Sequence, residues 1–137
     1  MVDKDIILNK SQTIERCLKR VTEEYENNPD NLNIILKQDA IILNIQRACE
    51  AAISLAMHIV AEEGLGLPQY SREAFELLAN HKIIDEKLSK KLQAMVGFRN
   101  IAIHDYQKLD LSILKNIIEH NLINLKDFTN ILLSRYA

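Results

Sequence analysis

Ten consecutive residues, Gly97-Phe98-Arg99-Asn100-Ile101-Ala102-Ile103-His104-Asp105-Tyr106, set a guanidinium, an amide, an imidazole and a phenol into an otherwise apolar helical pattern. The planar fork of arginine N–H donors matches two phosphoryl oxygens at once. An imidazole exchanges protons near neutral pH. Arg99 and His104 are together sufficient for metal-free cleavage of RNA. The imidazole would help a ribose 2′-hydroxyl attack its own phosphate, and the guanidinium would stabilise charge on the phosphoryl oxygens. The competing reading is a polar helix end that simply meets water.

Other chemistries lack their residues. The chain has no glycine-rich phosphate loop, no zinc-ligand spacing and no Gly-x-Ser-x-Gly elbow. His58, His81 and His120 are isolated from one another and read as surface or packing histidines. Cys17 and Cys49 fall inside helical patterns and form no metal or redox motif. Glu50 lies on an apolar helix, where a carboxylate needs a partner such as Arg47 or a base from another helix.

The motif must be held by helices. Gly 3 plus Pro 2 in 137 residues is far below the roughly 16 of average usage, so the turns of an all-β fold are missing. A first helix from about Asp5 to Tyr25 carries the stripe Ile7, Ile14, Leu18, Val21, Tyr25. Asn27 to Asn31 breaks it, and Leu32 to Leu36 carries no assignment. A second helix from about Asp39 to Glu63 is apolar around most of its circumference, which predicts a central helix or a subunit contact. Its alanines, Ala48, Ala51, Ala52 and Ala56, allow a neighbour to approach closely, and Gly64 is placed to end it. Ser71 is expected to cap a short helix holding Phe75, Leu77 and Leu78. Asp85 caps the next, whose pattern runs past Gly97 through Phe98 and Ala102 to Tyr106. Asp110 caps a long last helix to about Tyr136. The expectation is all-α: one domain spanning 1–137, an up-and-down bundle of about five helices.

The charge balance of −2 excludes a strongly basic nucleic-acid coat or a polybasic membrane binder. Met1-Val2-Asp3-Lys4-Asp5 is not a secretion signal, and no apolar run of bilayer-spanning length is expected. The expected compartment is the cytoplasm, with no membrane association.

Arg99-Asn100-Ile101-Ala102-Ile103-His104 resembles the Arg-Asn-x-x-x-His motif of the HEPN superfamily, small helical domains that include many RNases. With Asp105-Tyr106 it extends to Arg-x4-His-x-Tyr, which is similar to the HepT-type toxins. Gln38-Asp39, Asn44 to Ala51 and Gly66-Leu67-Pro68 also resemble that family, so the likeness covers nearly the whole chain. The resemblance implies a homodimeric bundle that cleaves RNA (mRNA or tRNA) without metal or cofactor and inhibits growth of its host. It implies Arg99, Asn100 and His104 as catalytic residues. It also implies neutralisation by a minimal nucleotidyltransferase antitoxin that places AMP on Tyr106.

Helix geometry bears on the dimer independently. At about 100° per residue, Arg99 and His104 point about 140° apart on one straight helix, whereas Asn100 and His104 share a face. Either the helix bends near Gly97 or a second protomer supplies the missing group, as a two-fold contact would. Between Lys82 and Lys108 stand six bases and three acids, a local surplus that suits an RNA footprint and a solvated helix equally. Two other functions compete with a nuclease: a non-catalytic subunit that binds and regulates a nucleotidyltransferase, and a structural bundle whose polar motif is an internal hydrogen-bond network.

Overall fold

Asp3, Asp85 and Asp110 each begin a helix by accepting hydrogen bonds from backbone N–H groups of its first turn, the stabilising role of a short acidic side chain at that position. In the computed structural model, which describes all 137 residues, these helices are α1 (Lys4–Tyr25), α4 (Glu86–His104) and α5 (Leu111–Asn116). Between them lie α2 (Ile35–Glu62) and α3 (Ser71–Asn80), and α5 continues through a π turn, Ile117–Asn121, into α6 (Leu122–Tyr136). The long C-terminal helix expected from Asp110 to Tyr136 is thus one rod with a π turn in it. The fold is all-helical.

Long-range contacts give the directions. Asp3 N–H donates to His58 Nε2 at 3.0 Å, and Lys37 Nζ pairs with Glu26 at 3.2 Å. The start of α1 therefore meets the end of α2, and its end meets the start of α2: the two are antiparallel. Ser89 Oγ donates to the Phe75 carbonyl and Arg99 Nη2 to Ser71 Oγ, which makes α3 and α4 antiparallel as well. Tyr25 donates to Glu119 and fixes the π turn against the end of α1.

α2 is the central helix. Ile41, Ile42, Ile45, Ala48, Cys49, Ala52, Leu55, Ala56 and Ile59 are all buried, and α1, α3, α4 and α6 all pack on it. Its alanines leave room for those neighbours. One connected core of 34 buried apolar residues results, including an edge-to-face pair, Phe75 and Phe128, with centroids 5.6 Å apart.

Four expectations need correction. α2 begins at Ile35, not Asp39, because the 3-10 turn Pro29–Asn33 and the Gln38 side chain on the Leu32 carbonyl launch it earlier. Ser71 is the first residue of α3 rather than its cap; the Glu73 carboxylate instead accepts from Gln69 N–H. α4 stops at His104, and Tyr106 opens a separate 3-10 turn. Finally, α2 is by length and composition apolar enough to cross a membrane. Its most apolar stretch is mostly buried against the other helices.

The ends of α2 and α3 share one device. Gly64, with φ 63°, lets Leu65 N–H reach the Val60 carbonyl and Gly64 N–H the Ala61 carbonyl, the paired closure that favours glycine. Lys82 adopts the same left-handed conformation, with φ 60°, after α3.

Tyr25 gives the fold an alkaline limit. Burial, reinforced by Glu119, pushes its phenol up to about 12, above the unfolded value of about 10. Its stabilisation is therefore complete below pH 10 and is lost as pH rises through about 12. The melting temperature should fall across that window, and Tyr25→Phe should flatten part of the fall. An unchanged alkaline slope in the variant would show that another group sets it.

Candidate active site

α4 carries the motif on its last two turns, and its burial pattern decides where each side chain goes. Phe98 and Ala102 face the core, so Arg99 falls at the edge of the α2–α3 side while Asn100, Ile101, Ile103 and His104 are exposed. The helix runs unbroken through Gly97 to His104; it does not bend to bring Arg99 and His104 together.

Arg99 is half-buried. Its Nη2 lies 3.5 Å from Ser71 Oγ, and its Nε is buried with no hydrogen-bond partner. Most of the five guanidinium donors are thus unspent. The charge also reaches α2: burial pushes the Cys49 thiol up to about 12, and the nearby Arg99 cation offsets part of that. A pre-placed cation with free donors is a ready anion receptor.

Asn100 lines a groove of about 500 Å³ between α4 and the C-terminal helix, with Ile101, Lys108 and Ile113. Ile101, Ile103 and Ile113 are 44%, 40% and 54% exposed, so apolar surface surrounds the polar motif. His104 ends α4, exposed to solvent and outside the lining of that groove. Tyr106 follows on the 3-10 turn, where its hydroxyl donates to the Asp39 carboxylate of α2. Burial first, and then Asp39, push this phenol up to about 12. Lys108 pairs with Asp105 at 3.2 Å.

Two residues of this region escaped the sequence. Arg72 of α3 reaches over Gly97, where a Cβ would stand 2.7 Å from its Nη2, and it lines the groove beside Asn100. The available signal was Gly97 itself, since a glycine inside a helix marks a close approach. Asp39 gave no sign of pairing with Tyr106. Gly97→Ala should stabilise the chain by about 0.5–1 kcal/mol, the cost of glycine inside a helix, because only the flexible tip of Arg72 must move. A lower melting temperature would show instead that Arg72 is held in place.

Glu50 accepts from Gln46 at 3.2 Å; the expected partner Arg47 is exposed and forms no ion pair with it. His58 closes the start of α1, and His81 Nδ1 lies 2.9 Å from the Leu77 carbonyl at the end of α3. Both are structural. Cys17 and Cys49 are buried free thiols.

The family described as ribonuclease HepT-like matches residues 7–132. The mRNA nuclease HepT of Shewanella oneidensis is 44% identical over 128 residues, which cover 93% of this chain and 96% of the relative. A solved toxin–antitoxin structure with AMP-PNP superposes with a TM-score of 0.92 at 43% identity, over 96% of this chain and 99% of the other. The tri-AMPylated Shewanella oneidensis HEPN toxin in complex with its MNT antitoxin gives 0.91 at 43% identity, over the same shares, 96% and 99%. A helical bundle whose Arg-x4-His-x-Tyr motif closes its fourth helix, matched along nearly its full length, belongs to the HepT-like ribonuclease family.

Proposed function

We propose that this chain is a metal-independent endoribonuclease, the toxin of a type VII-like toxin–antitoxin module acting in the cytoplasm as one HEPN-like domain over residues 1–137. The observation that carries the reading is Arg99, half-buried with unspent donors, five residues before an exposed imidazole at His104 on the same helix. His104 takes the proton of a ribose 2′-hydroxyl, whose oxygen attacks the adjacent phosphorus. The bond to the 5′-oxygen breaks, and the imidazolium returns the proton to that oxygen. A 2′,3′-cyclic phosphate and a 5′-hydroxyl result. Arg99 offsets charge on the non-bridging oxygens, and Asn100, on the face it shares with His104, orients the phosphate. The name of the Shewanella relative, an mRNA nuclease, supports mRNA over tRNA as the substrate.

Control lies with a minimal nucleotidyltransferase antitoxin, which moves AMP from ATP onto Tyr106. The new phosphodiester adds a lasting negative charge within two residues of His104, where it repels the RNA backbone. The adenosine fills the cleft. The tri-AMPylated relative held by its antitoxin supports this reading.

The working form is a two-fold dimer. Arg99 and His104 point apart on an unbroken helix, and Ile101, Ile103 and Ile113 offer apolar surface beside them. Each cleft then draws groups from two motifs. Mixing Arg99→Ala with His104→Ala chains tests this. Each variant alone should be inactive, and the mixture should regain part of the parent's cleavage of total RNA. A mixture as dead as its components, or a cleaving protein that sediments as a monomer, contradicts the composite site.

A further inference from the structure

Tyr106 is 40% exposed, so its oxygen is reachable, yet that oxygen is already engaged. It donates to Asp39, which stands 67 positions away in sequence on the first turns of α2. The contact is made by tertiary packing of the turn after α4 against α2, not by local chain geometry. The neighbouring cations are occupied elsewhere: Lys37 pairs with Glu24 and Glu26, and Lys108 pairs with Asp105. Asp39 therefore faces the phenol with no salt-bridge partner.

A phenol attacks phosphorus only as it loses its proton. An ordinary tyrosine gives that proton up near pH 10, and in this chain burial and Asp39 push Tyr106 up to about 12. The phenolate is scarce at neutral pH, so the proton must leave while the bond forms. A base within hydrogen-bond reach of the nucleophile meets that need.

We infer that Asp39 is the general base for nucleotidyl transfer to Tyr106, so that the acceptor chain rather than the transferring enzyme supplies the group that activates its own tyrosine. This rests on the reading of Tyr106 as the AMP acceptor. As Tyr106 Oη bonds to the α-phosphorus of ATP, the bond from that phosphorus to the oxygen bridging the β-phosphate breaks. Pyrophosphate leaves with the electron pair, and the proton passes to an Asp39 carboxylate oxygen and on to water. Once esterified, Oη has nothing left to donate. The new phosphodiester and Asp39 are then like charges, and the modified side chain leaves its former partner.

The test uses the full chain, its nucleotidyltransferase partner and ATP, with intact mass followed over time at saturating partner and over a series of ATP concentrations up to saturation. Asp39→Asn keeps the size and an acceptor oxygen but loses the base. It should slow AMP addition by about 10²–10⁴-fold, the usual share of acid–base catalysis, with the KM for ATP and the melting temperature unchanged. Difluorotyrosine at position 106, whose phenol is more acidic, should restore much of the rate in the Asp39→Asn background. Transfer at the parent's rate in Asp39→Asn overturns the assignment. So does a slow Asp39→Asn that fluorination does not rescue, since the carboxylate would then only hold the turn. A parent chain that gains no AMP, or gains it away from Tyr106, refutes instead the reading of Tyr106 on which the inference stands.

Discussion

His104→Ala should lower RNA cleavage by about 10²–10⁴-fold, the contribution of a positioned acid–base group, while the chain keeps its helical content. The side chain is exposed at the last turn of α4, and the core beneath it is supplied by Phe98 and Ala102, so its removal opens no cavity. Arg99→Lys should lose about 10²–10³-fold, the scale for removing one charge-stabilising donor set, because an ammonium keeps the charge but not the planar fork. Gel assays on total RNA read both, and circular dichroism checks the fold. A helical His104→Ala chain that cleaves at the parent rate would remove the imidazole from the mechanism.

The second large effect concerns control. Tyr106→Phe keeps the ring and its packing but removes the only atom that could carry AMP there. Incubated with the nucleotidyltransferase and ATP, it should gain no mass, and cells expressing it should stay arrested even with the partner present. That difference is all or none, larger than any change in rate. Its hydrogen bond to Asp39 is lost too, at a cost of about 1 kcal/mol, too little to unfold the bundle. Neutralisation of Tyr106→Phe with AMP recovered on Tyr25, Tyr70 or Tyr136 would move the control point elsewhere.

Much of the fold was legible because helical periodicity and caps are local. Asp85 and Asp110 begin their helices as their spacing with the following apolar residues requires, and Gly64 ends α2 in the left-handed conformation that glycine favours. The apolar circumference of α2 allowed a central helix or a subunit contact, and the packing of α1, α3, α4 and α6 on it makes it central. Boundaries set by tertiary contacts were not legible. Gln38 reaching back to Leu32 extends α2 forward, and Ser71 serves Arg99 instead of capping α3. The apolar pattern of α4 continued to Tyr106, but Asp105, with φ −151° and ψ 47°, breaks the helix one residue earlier and turns the tyrosine toward α2. The motif residues could be read because they are close in sequence. Arg72 and Asp39 could not, since each meets the motif across a helix–helix contact that spacing does not encode.

We propose that one chain carries both a ribonuclease site and the tyrosine that switches it off. The most direct measurement follows both in the same tube: RNA cleavage and intact mass, sampled together as the partner and ATP act on the parent chain. Activity should fall in step with the fraction of chains bearing AMP on Tyr106, and reach zero when that fraction is complete. Fully modified chains that still cleave RNA, or activity lost before any AMP is attached, would contradict it.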